Sequence, residues 1–276
     1  MLDTTKLTIT QAKKLLETKE ISSVELTTAH LQKIKEADPE LNAFITVCTE
    51  SVLEEAKRAD GDIASGKKSS LTGIPLAFKD AYSTKDVRTT AGSKVLDDYI
   101  APYDATSISR LKNEGVLVLG KTNMDAWAHG SSGENSDYGA TKNPHDHTRV
   151  AGGSSSGSAA AVASGMALAA TGTDTGGSIR LPAAFTGTVG LKPTYGRVSR
   201  YGIVAMGSSF DCIGHFTKTV EDSTLLLSVT AGSDPYDATS SKLPVPNYMD
   251  YLNKPIKGMK IGIVKQFLTD GIDAGI

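Results

Sequence analysis

Two short turns hold the residues of this chain best able to do chemistry: GGSSSG over 152–157 and TDTGGS over 173–178, separated by an Ala-rich run almost free of charge. A glycine pair lets the backbone take positive φ angles and approach a ligand closely. A serine just after it stands where a helix can begin. Ser178 is predicted to open a helix over 178–184 (SIRLPAA). Unpaired backbone N–H groups at such a start cap the helix, and they can also stabilise the oxyanion that develops in acyl transfer.

Serine is a poor nucleophile until a base takes its proton. The five histidines, His30, His129, His145, His147 and His215, follow no triad spacing. Lysine can replace histidine if burial lowers its pKa enough to leave it neutral. Lys79 is the candidate, because it ends GIPLAFK over 73–79, an apolar run that reads as a core strand delivering its amine to the interior. Taken singly, each feature has a plainer reading: a strand-end lysine is a surface charge, Ser178 is an N-cap and a Gly/Ser run is a turn. Together they point to acyl transfer.

Elements that could position these groups follow from periodicity. Ile9, Ala12 and Leu16 fit an amphipathic helix over 8–19, and Ser22 with Glu25 offers a capping box for a second, predicted to end at Asp38-Pro39. Alternation at Leu41, Ala43, Ile45 and Val47 suggests a strand, and 50–63 returns to helical spacing. After a helix over 104–114, VLVLG at 116–120 reads as a buried parallel strand of a βαβ unit. The run 166–171 reads as a buried strand or a helix tail, 219–231 as a helix, 232–255 as an extended surface crossing and 259–264 as a fresh strand. TTAGS over 89–93 is expected near the site. The fold class is α/β, a mixed sheet covered by helices on both faces.

A hydrophobic content of 39% suffices for a sizeable core, and a net charge of −2 provides no basic field for nucleic acid. Two cysteines, Cys48 and Cys212, form neither a disulfide framework nor a metal motif, which fits a reducing compartment. The N-terminus lacks a signal pattern, and the longest apolar stretch is broken by Ser164 and Gly165. The expectation is a soluble, cytoplasmic protein with no membrane contact.

Three rival sites are weaker. Asn143-Pro144-His145-Asp146-His147 places ligand types side by side, yet consecutive residues seldom face one centre, so no metal is expected. Cys212 and His215 form a rival nucleophile pair without an orienting acid. TDTGGS lacks the lysine and spacing of a phosphate-binding loop.

GGSSSGSAAAVASG over 152–165, followed by 172–200 and preceded by GIPLAFKD over 73–80, resembles the amidase signature family. Within it, PTYGRVSRYGIVAMGSSFDCIG over 193–214 is similar to the glutaminase subunits of tRNA-dependent amidotransferases. The resemblance implies one amidase domain over 1–276 with its C-terminal part missing and a helical segment at 1–65. It implies Ser178 as acyl nucleophile, Ser154 as bridging serine after a cis Gly153–Ser154 bond, and Lys79 as base. It also implies oxyanion donors from the N–H groups of Thr175, Gly176, Gly177 and Ser178, and an acyl pocket lined by Gly130, Ser131 and Ser132. Departures from the family occur at Ala126, Trp127 and His129, where Glu, Phe and Met are usual, and at Ala151 and Ser156. The implied activity is hydrolysis of glutamine to supply ammonia for converting Glu-tRNA(Gln) to Gln-tRNA(Gln). The implied assembly is a heterotrimer with B- and C-type subunits, in which a partner uses ATP and Mg and contacts the tRNA while this chain binds no cofactor. The alternatives are a stand-alone amidase of the same family and a non-catalytic truncated fragment.

Overall fold

Local signals open the chain as expected. In the computed structural model, which describes residues 2–267, helix α1 (Ile9–Glu17) buries Ile9, Ala12 and Leu16, and α2 (Ser23–Leu41) starts with the capping box between Ser22 and Glu25. A second box, between Thr8 and Gln11, opens α1 and is not among the sequence expectations. Helix α2 runs past the predicted stop, with Pro39 inside its last turn. A proline there costs one N–H bond. The stop is made instead by Asn42, in the left-handed region at φ 53°, and by the Asp38 carboxylate, which accepts the N–H groups of Ala43 and Phe44. Strand β1 (Phe44–Val47) and helix α3 (Thr49–Ala64) follow, so the 1–65 segment contributes a sheet strand as well as helices.

The core of the fold is a six-stranded sheet in the order β1-β3-β2-β6-β8-β7. Its strands are β2 (Pro75–Lys79), β3 (Leu117–Thr122), β6 (Ala170–Asp174), β7 (Val189–Leu191) and β8 (Cys212–Thr217), with β1 at one edge. The pairs β2/β3 and β2/β6 are parallel; β1/β3, β6/β8 and β7/β8 are antiparallel. Helix α4 (Thr106–Asn113) joins β2 to β3, the βαβ unit read from the apolar run at 116–120. A two-stranded ribbon, β4 (Lys142–Asn143) and β5 (Asp146–Val150), lies outside the main sheet.

Strand alternation divides the interior between the two faces. Leu76 and Phe78 of β2 enter a cluster with Ile9 of α1, Leu111 of α4 and Leu226 of α7 (Val220–Thr230). Ala77 enters the other, with Ile34 of α2, the alanines of α5 (Ser156–Ala163) and Ala183 of α6 (Arg180–Thr186). Helices therefore cover both faces. Helix α5 is buried along most of its length and can lie this close because its side chains are small. At Gly157 a Cβ would overlap the carbonyl oxygen of Ala43.

Two expectations change. Residues 259–264, predicted as a strand, are exposed and pair with no strand among the described residues. An apolar run becomes a strand only where a neighbour accepts its ladder. The helix predicted over 178–184 begins at Arg180 rather than Ser178. No described helix is long and apolar enough to cross a membrane.

Candidate active site

Strand β2 is buried throughout and ends in Lys79. Alternation from Ala77 turns the Lys79 side chain toward the α5 face. The side chain has no solvent exposure, and its Nζ lies 2.8 Å from Ser154 Oγ and 2.7 Å from Thr173 Oγ1. Its backbone N–H donates to Thr171 Oγ1 at 2.9 Å. Burial pulls the amine down to about 7 from the usual lysine value, while the nearby carboxylates of Asp125, Asp174 and Asp211 pull the other way.

A second buried lysine shows how specific this placement is. Lys121 follows an irregularity in the β2/β3 register and pairs with Phe78, on the opposite face from Lys79. Its Nζ contacts Asp80 at 3.2 Å and donates to the Tyr82 carbonyl and Thr89 Oγ1, so it is tied to the start of the 80–93 loop. That loop, with its TTAGS run, lies against the segment that follows Asp125: the Ala91 carbonyl accepts the Trp127 N–H at 2.8 Å.

Ser154 lies just ahead of α5, after a cis Gly153–Ser154 peptide. Its backbone is gripped by the 125–133 segment. The N–H groups of Gly152 and Gly153 donate to the carbonyls of Ser132 and Ser131 at 3.1 and 2.8 Å, and the Asp125 N–H donates to the Ser154 carbonyl at 3.1 Å. The buried Asp125 carboxylate accepts the N–H groups of Gly133 and Asn135. A Cβ on Gly153 would collide with that carboxylate. Of the residues expected to line the acyl pocket, Ser131 and Ser132 thus hold the backbone just before Ser154, while Gly130 packs against the Asp125 side chain.

Ser178 occupies the turn after β6, with only 7% of its surface exposed. Asp174 organises this turn. Its carboxylate accepts the N–H groups of Gly177, Ile179 and Arg180 at 2.8, 3.1 and 3.2 Å, and the Arg180 guanidinium closes on it through Nε and Nη2. Burial pushes the Asp174 carboxyl up, but Arg180 and these N–H groups hold it below the usual carboxylate range. Asp174 therefore caps α6, and Ser178 is released from capping. The Ser178 hydroxyl has no hydrogen-bond partner among the described residues; its carbonyl accepts from the Ser155 N–H at 3.3 Å. Of the four N–H groups expected as oxyanion donors, that of Gly177 is committed to Asp174, whereas those of Thr175, Gly176 and Ser178 have no partner among the described residues.

The rival sites come apart. Cys212 and His215 lie three residues apart on β8, so their side chains face opposite ways. Burial raises the Cys212 thiol and drops His215 to about 4, with His215 Nε2 hydrogen-bonded to Ser223. His145 Nε2 bonds to the Thr186 carbonyl, His147 is exposed, and no described cluster of His, Cys, Asp or Glu could hold a metal ion. Reading by residue type overlooked Thr173, Asp174 and Asp125. Alternation along β6 could have placed Thr171 and Thr173 on one face, and an aspartate just before Thr-Gly-Gly-Ser is a capping signal.

A family profile described as amidase matches residues 25–276. The A-type subunit of the glutamyl-tRNA(Gln) amidotransferase of Caldanaerobacter subterraneus subsp. tengcongensis is 53% identical over 270 residues, 98% of this chain and 55% of the relative. Its counterpart in Coxiella burnetii is 53% identical over 269 residues, 98% of this chain and 56% of the relative. The chain thus spans about half the length of the curated relatives it matches. Among solved structures, the A-type subunit of the Thermotoga maritima glutamyl-tRNA(Gln) amidotransferase superposes with a TM-score of 0.79 at 45% identity, covering 88% of this chain and 51% of that one. A peptide amidase from Stenotrophomonas maltophilia gives 0.85 at 38% identity, covering 90% and 53%. Profile, relatives and fold agree, and the chain belongs to the amidase signature family.

Proposed function

We propose that this chain builds the acyl-transfer centre of a glutaminase, with Ser178 as nucleophile, Ser154 as bridge and Lys79 as base. The observation that carries this reading is the fully buried Lys79 amine, with a pKa near 7, placed 2.8 Å from the Ser154 hydroxyl. A neutral amine can take the Ser154 proton as Ser154 takes that of Ser178, and Ser178 Oγ then attacks the side-chain amide carbon of glutamine. The N–H groups of Thr175, Gly176 and Ser178 receive the oxyanion. As the carbon–nitrogen bond breaks, the proton returns through Ser154 to the leaving ammonia, leaving an ester on Ser178. Water, activated along the same path, releases glutamate. The names of the relatives support a place in a tRNA-dependent amidotransferase. There, B- and C-type partner subunits would use ATP and the released ammonia on Glu-tRNA(Gln), in the cytoplasm.

The test is ammonia release from glutamine by the chain and by Ser178→Ala. Loss of a nucleophile is expected to cost on the order of 10³-fold or more, and a variant within about tenfold of the parent contradicts the assignment. A second reading, a stand-alone amidase, draws on the higher TM-score with the peptide amidase, 0.85 against 0.79 for the amidotransferase protein. Release of ammonia from simple amides, unaffected by partner subunits and tRNA, would favour it. Failure with every amide by the folded chain would favour a non-catalytic fragment.

A further inference from the structure

We infer that Thr173 is a positioning residue, aiming the lone pair of Lys79 at the Ser154 hydroxyl. The inference rests on the reading of Lys79 as the base. A neutral amine carries two N–H donors and one lone pair, and the terminal carbon–nitrogen bond turns easily. An amine free to turn is a poor proton acceptor at any one oxygen. Some group must take an N–H from the side away from Ser154.

Thr173 Oγ1 is placed to do this. It lies 2.7 Å from Nζ and, with Ser154, is one of two side chains hydrogen-bonded to Nζ among the described residues. Thr171 and Thr173 share the face of β6 that meets the end of β2, and Lys79 uses both: Thr171 for its backbone N–H and Thr173 for its amine. Thr173 is β-branched and buried, hence stiff at χ1. Its backbone is also tied to the residue after Ser154: the Ser155 hydroxyl donates to the Thr173 carbonyl at 3.3 Å and accepts its N–H at 3.4 Å. The two oxygens that bracket the amine are therefore set by one local network.

The charged groups nearby are engaged elsewhere. Asp125 accepts from Gly133 and Asn135, Asp174 from Arg180 and the 177–180 turn, and Asp211 from Met206, Gly207 and Thr175. On the other face of β2 the Lys121–Asp80 pair closes on itself. Asp125, Asp174 and Asp211 act on Lys79 through their fields. Thr173 acts through direction.

A hydroxyl acceptor stabilises the ammonium more than the amine, so removing it lowers the lysine pKa while leaving the lone pair unaimed. The test compares Thr173→Val, which keeps the shape and loses the oxygen, with Thr173→Ser, which keeps the oxygen. Lys79 is followed by NMR titration of the full 276-residue chain carrying [ε-¹³C]lysine, its resonance identified by its loss in Lys79→Arg. Thr173→Val is expected to lower the Lys79 midpoint by about half a pH unit or more, and Thr173→Ser to restore it. In parallel, the plateau rate of glutamine hydrolysis falls about tenfold or more in Val and recovers in Ser, although the acid limb of the Val profile has moved to lower pH. A purely structural defect would not move the limb this way. A Val midpoint equal to or above the parent's overturns the inference. So does an undiminished plateau, the result expected if the Thr173 hydroxyl gives its own proton to Lys79 and competes with Ser154. A parent with no turnover contradicts the glutaminase reading, and the titration then decides Thr173 by itself.

Discussion

The Arg180 guanidinium closes on the Asp174 carboxylate from outside, through Nε at 3.0 Å and Nη2 at 2.9 Å, while the same carboxylate holds the turn bearing Ser178 from within. Asp174 is fully buried and Arg180 largely exposed, so the turn depends on the aspartate more than on the salt bridge. Asp174→Asn replaces one acceptor oxygen by an NH₂ facing backbone donors. Turnover is expected to fall about 10²-fold or more. Stability is expected to fall by about 2–4 kcal/mol, read as a shift in the urea midpoint. Retention of both would show that the turn holds itself.

Lys79→Met separates function from folding. A buried amine is costly to desolvate, and an apolar side chain of similar volume is often neutral or stabilising in its place. Activity is expected to drop on the order of 10²–10⁴-fold with no loss of unfolding free energy at pH 7. A destabilisation above about 2 kcal/mol would mean that the lysine is held for structure.

The pH dependence of the rate follows from the same amine. With Lys79 at about 7, kcat/KM is expected to decline as pH falls through 7, because the protonated lysine cannot accept a proton. The stability sign also follows: between about 7 and the usual lysine value the unfolded chain binds more protons than the folded one, so this group makes stability rise with pH.

Acid has a separate effect. His30 and His215 are buried, and burial lowers each to about 4, so between the usual histidine value and 4 the unfolded chain again binds more protons and stability falls as pH falls. Each contributes on the order of 3 kcal/mol. Asp38, raised to about 6 by burial, acts in the opposite direction over much of that window and offsets roughly one histidine. The net expectation is a loss of about 3 kcal/mol from pH 7 to 4, measured by urea unfolding at fixed ionic strength. A flat profile would contradict the burial of these rings.

Gly157→Ala sets propensity against packing. In a helix, alanine is favoured over glycine by about 1 kcal/mol. Here the added methyl would overlap the Ala43 carbonyl and press on Asn123. The clash is expected to prevail, with destabilisation of about 2 kcal/mol or more by thermal unfolding.

What the sequence made legible was local. The cap at Ser22 needs only a neighbour three residues away, and the runs feeding β2 and β3 announce burial by composition. Helix α2 outlasted its proline because Asn42 and Asp38 close the turn beyond it, and α6 started late because Asp174 caps it. The apolar run at 259–264 showed its β character, but a strand also needs a neighbour. In the site, Lys79 and Ser178 could be singled out from position and chemistry, whereas Ser154 came only from the family resemblance. The meeting of Lys79 with Thr173 joins residues 94 positions apart and depends on β2 and β6 lying side by side. No spacing rule in the chain encodes that.

The most direct measurement is peptide mass spectrometry of the chain after incubation with glutamine and rapid acid quench. The expected result is a glutamyl ester on the peptide containing Ser178, lost in Ser178→Ala and strongly reduced in Lys79→Met. A chain that circular dichroism shows to be folded, yet that carries no adduct on Ser178 or carries it on another residue, would contradict Ser178 as the nucleophile of this centre.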